Sequence, residues 1–233
     1  MSRPFRQNGA RTLSRRYVLI VLIPLFILAL FAPGAALDRF NNTERWSYFD
    51  LATINTSLKG YSLGDANGNL VFYAPYRNPA GYSGMAVRYD TTRTFNETAG
   101  WEYMDLTTVN TGLKGFTNGV AHGNFMYYIP FQSVGGGVYS GKTVRYDTTK
   151  TFTDTGSWER LDLATIDARL KGFTAGVSEG NYVYYVPFLS SAGVYSGVTT
   201  RFDTTKPFAD AGSWELYDLT SVNAGLKGFN QGI

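Results

Sequence analysis

Three recurrences predict an all-β chain of repeated four-stranded antiparallel units. A tryptophan returns at Trp46, Trp101, Trp158 and Trp214, a period of about 56 residues. The separation from each tryptophan to the glycine of a Leu-Lys-Gly triplet (Gly60, Gly115, Gly172, Gly228) is constant, and so is that from the first three glycines to a proline (Pro75, Pro130, Pro187). Short β-branched and aromatic segments, separated by glycine-rich turns, fill the space between these landmarks. A segment recurring at this period is one supersecondary unit that cannot bury its apolar face alone, so neighbours must stack.

The chain begins differently. Residues 1–16 are polar and basic, residues 17–31 are almost wholly apolar, and small residues follow up to Ala36. This is the order of an export signal, with cleavage expected after Ala36. A permanent span wants about 20 residues. The apolar run at 17–31 is shorter than that and contains Pro24. An uncleaved membrane anchor at 17–31 is the alternative, and Ser14-Arg15-Arg16 also suits a twin-arginine export route. In every case residues 37–233 form the repeat domain and work outside the cytoplasm, whether secreted, periplasmic or at the cell surface. Contact with the membrane is expected only through the N-terminal segment.

Within the unit, the first strand is glycine-rich, as in 115–123 and 172–180. The second is aromatic and β-branched, at 125–131 and 182–188, and proline ends it because proline has no N–H to give a ladder. Asn124 and Asn181, each with a preceding glycine, mark the tight turn between these two strands. The third strand is 142–147 and 198–203, and Asp147 then opens a turn through its side chain. The fourth is 158–163. Leu106, Val109 and Leu113, spaced three and four apart, suggest a short helical turn in the connector. Only one stretch differs in length from unit to unit, that from Pro75 to Gly84, Pro130 to Gly141 and Pro187 to Gly197, so it reads as an exposed loop.

Four antiparallel strands with a glycine-rich inner strand describe a β-propeller blade, since backbones crowd together at a propeller's axis. The Trp residues would pack between blades. A stacked solenoid is the competing arrangement. Three full blades are expected, at about 60–106, 115–163 and 172–219. A spare fourth strand at 46–51 and a spare first strand at 228–233 make three and a half, against roughly four to eight in closed propellers. Open edges of this kind invite self-association through the terminal strands.

Composition narrows the chemistry. The chain is net +3, but residues 1–36 hold five arginines and no acid, which leaves 37–233 at −2. A nucleic-acid footprint is therefore not expected. With no cysteine and a single histidine, His122, no metal site and no cofactor are expected. Acids recur in every unit, at Asp50, Asp105, Asp162 and Asp218 and at Asp90, Asp147 and Asp203. Recurrence suits a structural task, because one active site needs one set of residues. Arg88, Arg145 and Arg201 stand two residues before the second aspartate set, on the same strand face, and suggest a repeated Arg–Asp or Arg–backbone bond. Asp65 is the exception, standing where Val120 and Val177 stand in the other units.

The variable loops carry Tyr82, Tyr139 and Tyr195 among Gly and Ser. Strand alternation places them on one face with Lys59, Lys114 and Lys171 of the connectors. Rigid aromatic area beside adaptable polar groups is the chemistry of a recognition surface. These six residues are the candidate ligand-binding set.

Gly-Asn-Tyr-Val-Tyr-Tyr-Val at 180–186, Val-Arg-Tyr-Asp-Thr at 144–148 and the downstream Trp158 resemble the kelch repeat, in the form found in exported prokaryotic proteins. The chain departs from it by carrying Pro-Phe for the usual Gly-Gly, and by a slightly longer period. The resemblance covers residues 46–233 and implies a β-propeller, most often a binder and rarely an enzyme. The expected function is therefore an exported interaction module for a protein or glycan ligand. The alternatives are an assembly subunit joined through open blade edges, or a carbohydrate-active propeller enzyme. The last would need a unique acidic pair lining a pocket, and the sequence offers none.

Overall fold

The computed structural model describes residues 43–232 of the protein. The expected export signal or anchor at 1–36 and 17–31 lies outside them. The chain divides into two compact units, 1–46 and 47–233. The described part of the first contains one 3-10 turn, Thr43–Arg45.

The second unit is all-β, with no α-helix among the described residues. It comprises three four-stranded antiparallel sheets, each accompanied by a two-stranded ribbon. The first sheet holds β1 (Tyr61–Asn67), β2 (Leu70–Pro75), β5 (Met85–Asp90) and β6 (Trp101–Asp105), with the ribbon β3 (Arg77–Asn78) and β4 (Gly81–Tyr82) between β2 and β5. The second holds β7 (Phe116–His122), β8 (Phe125–Pro130), β11 (Lys142–Asp147) and β12 (Trp158–Asp162), with the ribbon β9 (Gln132–Val134) and β10 (Val138–Tyr139). The third holds β13 (Phe173–Glu179), β14 (Tyr182–Pro187), β17 (Val198–Asp203) and β18 (Trp214–Asp218), with the ribbon β15 (Leu189–Ser191) and β16 (Val194–Tyr195). In each sheet the strands lie side by side in chain order. The variable loop is thus a small hairpin that leaves each sheet after its second strand.

The turns follow the sequence. Gly68, Gly123 and Gly180 have φ of 59, 55 and 55°, the left-handed conformation the first hairpin requires. The connector is a single 3-10 turn, Leu106–Thr108 in the first case. Asp105 caps it, its carboxylate accepting from Thr107 N, and Asp50, Asp162 and Asp218 do the same in the other units. The helical spacing of Leu106 and Leu113 serves burial instead, since both lie in the core between the first and second sheets.

Two of the three cores lie between sheets. The first joins Phe72, Leu106 and Leu113 to Tyr128, Tyr146 and Trp158; the second joins Tyr127, Leu163 and Leu170 to Tyr185, Phe202 and Trp214. The third sets Phe49, Leu51, Ile54 and Leu58 against Tyr89 and Trp101. The first strands of neighbouring sheets run next to one another. Gly176 shows how closely, since a Cβ there would lie 2.7 Å from Val120 Cγ2 of the adjoining sheet.

Two expectations are corrected. Neither 46–51 nor 228–232 forms a strand; a strand needs a ladder partner, and Phe49 instead stacks on Trp101 with ring centroids 5.6 Å apart. Trp101, Trp158 and Trp214 are buried, whereas Trp46 is 61% exposed. The residues that would flank Trp46 by the repeat register precede it, mostly outside the described residues.

Candidate interaction surfaces

The ribbons share a neighbourhood with the Leu-Lys-Gly connectors. Gly115 accepts at its carbonyl from Phe131 N and Gln132 N, and its own N–H donates to Ser83 O across to the preceding sheet, at 3.0 Å. Gly172 and Gly228 donate to Ser140 O and Ser196 O in the same way. The structure therefore brings Tyr82, Tyr139 and Tyr195 close to the connectors that carry Lys114, Lys171 and Lys227.

The tyrosines are not free platforms. A Cβ on Gly115 would lie 2.9 Å from the Tyr82 ring, one on Gly172 3.0 Å from Tyr139, and one on Gly228 2.5 Å from Tyr195. Each ring is laid on the glycine of the following unit. The Tyr82 hydroxyl also donates to Oε1 of the buried Gln132. Tyr82 and Tyr139 are half-buried, and only Tyr195 is well exposed. Lys59 is exposed, with Lys114 and Lys171 half-buried. The ribbons instead present Val134, Val138 and Val194, all exposed. The second and third ribbons meet where a Cβ on Gly137 would touch Ala192 Cβ at 2.6 Å.

The repeated arginines pair with glutamate rather than aspartate. Arg88, Arg145 and Arg201 stand opposite Glu102, Glu159 and Glu215 in the strand register and bond them at 2.8, 2.9 and 2.7 Å. The aspartates of the same strands are engaged elsewhere, Asp90, Asp147 and Asp203 each accepting from the N–H and hydroxyl of the threonine two residues on. The arginine side chains are 16, 8 and 37% exposed in chain order. The last is the most open because no further sheet follows it among the described residues. That side of the third sheet forms a shallow groove of about 320 Å³, lined by residues including Tyr184, Thr199, Arg201, Glu215 and Tyr217.

At the opposite edge the first strands border an open cleft of about 260 Å³, lined by Asp65, Asn118, Val177, Ser178 and Gly232 among others. Asp65 accepts from Ala66 N at 2.8 Å and from Ala121 N of the next sheet at 2.9 Å. Its carboxylate is a bridge between sheets. His122 lies 3.3 Å from Thr204 Oγ1. Among the described residues no three His, Asp or Glu side chains converge to hold a metal ion, and no helix is long and apolar enough to cross a membrane.

Sequence reasoning missed three members of this machinery. Phe95, Phe152 and Phe208 stand six residues before each buried Trp and accept the indole N–H at their carbonyls. The glutamate downstream of each arginine and the glycine downstream of each ribbon tyrosine keep equally constant separations in the sequence.

No family model matches the chain, and no curated protein matches it. Among solved structures, the computationally designed Ika8 protein shows 13% identity and a TM-score of 0.35 over 62% of this chain and 33% of that one. YjhT shows 9% identity and a TM-score of 0.31 over 66% of this chain and 64% of that one. The chain thus spans about a third and just under two thirds of their respective lengths.

Proposed function

We propose that this chain is an exported, β-propeller-like interaction module of kelch-related repeats that holds a protein partner on its ribbon face. The leader-like residues 1–36 support export. The blade arrangement is supported by the first strands, which border one cleft while two of the cores lie between sheets. The observation that carries the binding role is the set of exposed valines Val134, Val138 and Val194 on the ribbons. Val134 and Val138 stand opposite each other in the second ribbon, and contiguous exposed apolar groups mark interaction sites. A glycan would ask for open aromatic planes, and those of Tyr82 and Tyr139 lie on glycines. Lys59, Lys114 and Lys171 supply a charged rim to the apolar tips. The reading is a binder rather than a hydrolase, because the recurring aspartates act as caps and turn acceptors.

The test is a peptide and glycan array probed with residues 37–233, beside a Val134→Ser, Val138→Ser, Val194→Ser variant. Selective peptide binding, lost in the variant at an unchanged melting temperature, is expected. Glycan binding, or peptide binding indifferent to the three substitutions, would contradict it.

A further inference from the structure

Both contacts between neighbouring sheets follow one rule. An aromatic residue from the second strand and an arginine from the third lean on the next sheet's aromatic pair. Phe72 lies 5.9 Å from the ring of Tyr146 and 6.2 Å from that of Phe152; Tyr127 lies 5.9 Å from both Phe202 and Phe208. Arg88 sits 4.9 Å over Phe152 and donates to the Tyr146 hydroxyl, and Arg145 sits 4.9 Å over Phe208. Thr143 adds a hydroxyl–hydroxyl bond to Tyr185.

The third sheet carries the same groups at the same places: Tyr184, Arg201 and Thr199. Among the described residues Arg201 meets only its own sheet, through Glu215 and the ring of Tyr182 at 4.1 Å. Thr199 donates to Tyr185 O of the same sheet, as Thr143 does to Tyr128 O, but among the described residues no tyrosine hydroxyl bonds it from another sheet.

The geometry points to this side of the third sheet as a docking surface for a further unit of the same repeat, with residues 228–232 serving as that unit's first strand. The seat is already begun as it is between the other sheets. Thr174 Oγ1 donates to Phe229 O at 3.1 Å, as Thr117 Oγ1 donates to Phe173 O at 2.9 Å. Phe229 N donates to Pro187 O at 3.1 Å. That unit supplies the second to fourth strands. It must bring a tyrosine equivalent to Tyr185 for Thr199, and an aromatic pair equivalent to Phe202 and Phe208 for Tyr184 and Arg201. An intact second copy of this chain does not offer that side, because its Tyr89 and Trp101 are covered by its own Phe49, Leu51 and Leu58.

The test adds to the full chain a polypeptide with the sequence of residues 180–227, which spans the second to fourth strands and the connector. One-to-one binding by calorimetry is expected, weakened about tenfold by Tyr184→Ala or Arg201→Ala in the full chain, as for truncation of a buried anchor. A second arm, independent of the free segment's solubility, joins a further copy of residues 178–233 after Ile233. There Tyr184→Ala should lower the melting temperature more than in the parent chain, and about as much as Tyr127→Ala does. Absent binding together with equal effects of Tyr184→Ala in both chains overturns the proposal, as does binding indifferent to both substitutions. A dimer of the parent chain that Tyr217→Lys dissolves would assign the face to a second copy and overturn it too.

Discussion

The hydroxyls of Tyr185 and Thr143 lie 2.6 Å apart, bonded from one sheet to the next. One unit earlier Ala86 stands in the threonine's place, and the buried hydroxyl of Tyr128 has no hydrogen-bond partner among the described residues. A buried polar group left unpaired costs about 1–3 kcal/mol. Ala86→Thr should therefore stabilise the protein by about 1 kcal/mol, and Tyr128→Phe should be neutral or stabilising. Tyr185→Phe, which removes this bond while Thr143 keeps its bond to Tyr128 O, should destabilise by about 1 kcal/mol. Urea unfolding of the three variants checks this, and equal effects of the two Tyr→Phe changes would refute the assignment.

Trp158 ties its own sheet together and faces the one before. Its indole N–H donates to Phe152 O at 2.9 Å, and its ring lies 4.9 Å from Tyr146 and 5.8 Å from Tyr128. Trp158→Ala should cost about 3–5 kcal/mol, the usual loss for a buried aromatic. A melting curve unchanged within error would show that the core between the first two sheets is not held this way.

Gly115 has φ of 70°, and a Cβ there would fall 1.6 Å from Gln132 O. Left-handed backbone alone costs a side chain roughly 1–2 kcal/mol, and the clash with a backbone oxygen adds to it. Gly115→Ala should therefore destabilise more than Gly123→Ala, where φ is 55° but nothing lies within 4 Å. Equal effects in chemical denaturation would remove the packing argument and leave only the backbone one.

Acid should weaken the fold in a definite window. Hydrogen bonds from the hydroxyl and N–H of Thr92, Thr149 and Thr205 hold Asp90, Asp147 and Asp203 below the ordinary carboxylate value of 3.8. Thr220 does the same for Asp218, and the Arg169 guanidinium brings Asp167 down to about 2. These groups bind protons more weakly when folded than when unfolded. Their stabilisation is fully present above the unfolded value of 3.8 and is lost as pH falls toward about 2. Urea midpoints measured across that range should decline steadily, with a smaller decline in Asp167→Asn. A flat profile would count against these contacts.

Much of the architecture could be read from spacing. The strands at 142–147 and 198–203, the prolines ending β2, β8 and β14, and the glycine turns all follow from local chemistry. The partners of Arg88 and Tyr82 did not. Reading along one strand pairs Arg88 with Asp90, whereas the side chain opposite it across the ladder is Glu102. Tyr82 looks like an exposed loop tyrosine until Gly115, in the following unit, is seen lying under its ring. Such contacts cross strands and units, so local pattern hides them, although their constant separations were present in the sequence. The ribbons were read as plain loops because segments of two or three residues carry too little alternation to register as strands.

The proposed propeller-like arrangement of the sheets around their first strands is tested most directly by distances between pairs of spin labels, which the absence of native cysteine makes simple to place. One pair replaces Asp65 and Ser178, which line the same inner cleft. The other replaces Glu102 and Glu215, on the outermost strands β6 and β18. Blades diverging from an axis give a short inner distance and a clearly longer outer one. Equal distances for the two pairs would mean sheets stacked in a straight row, and would contradict the propeller-like reading.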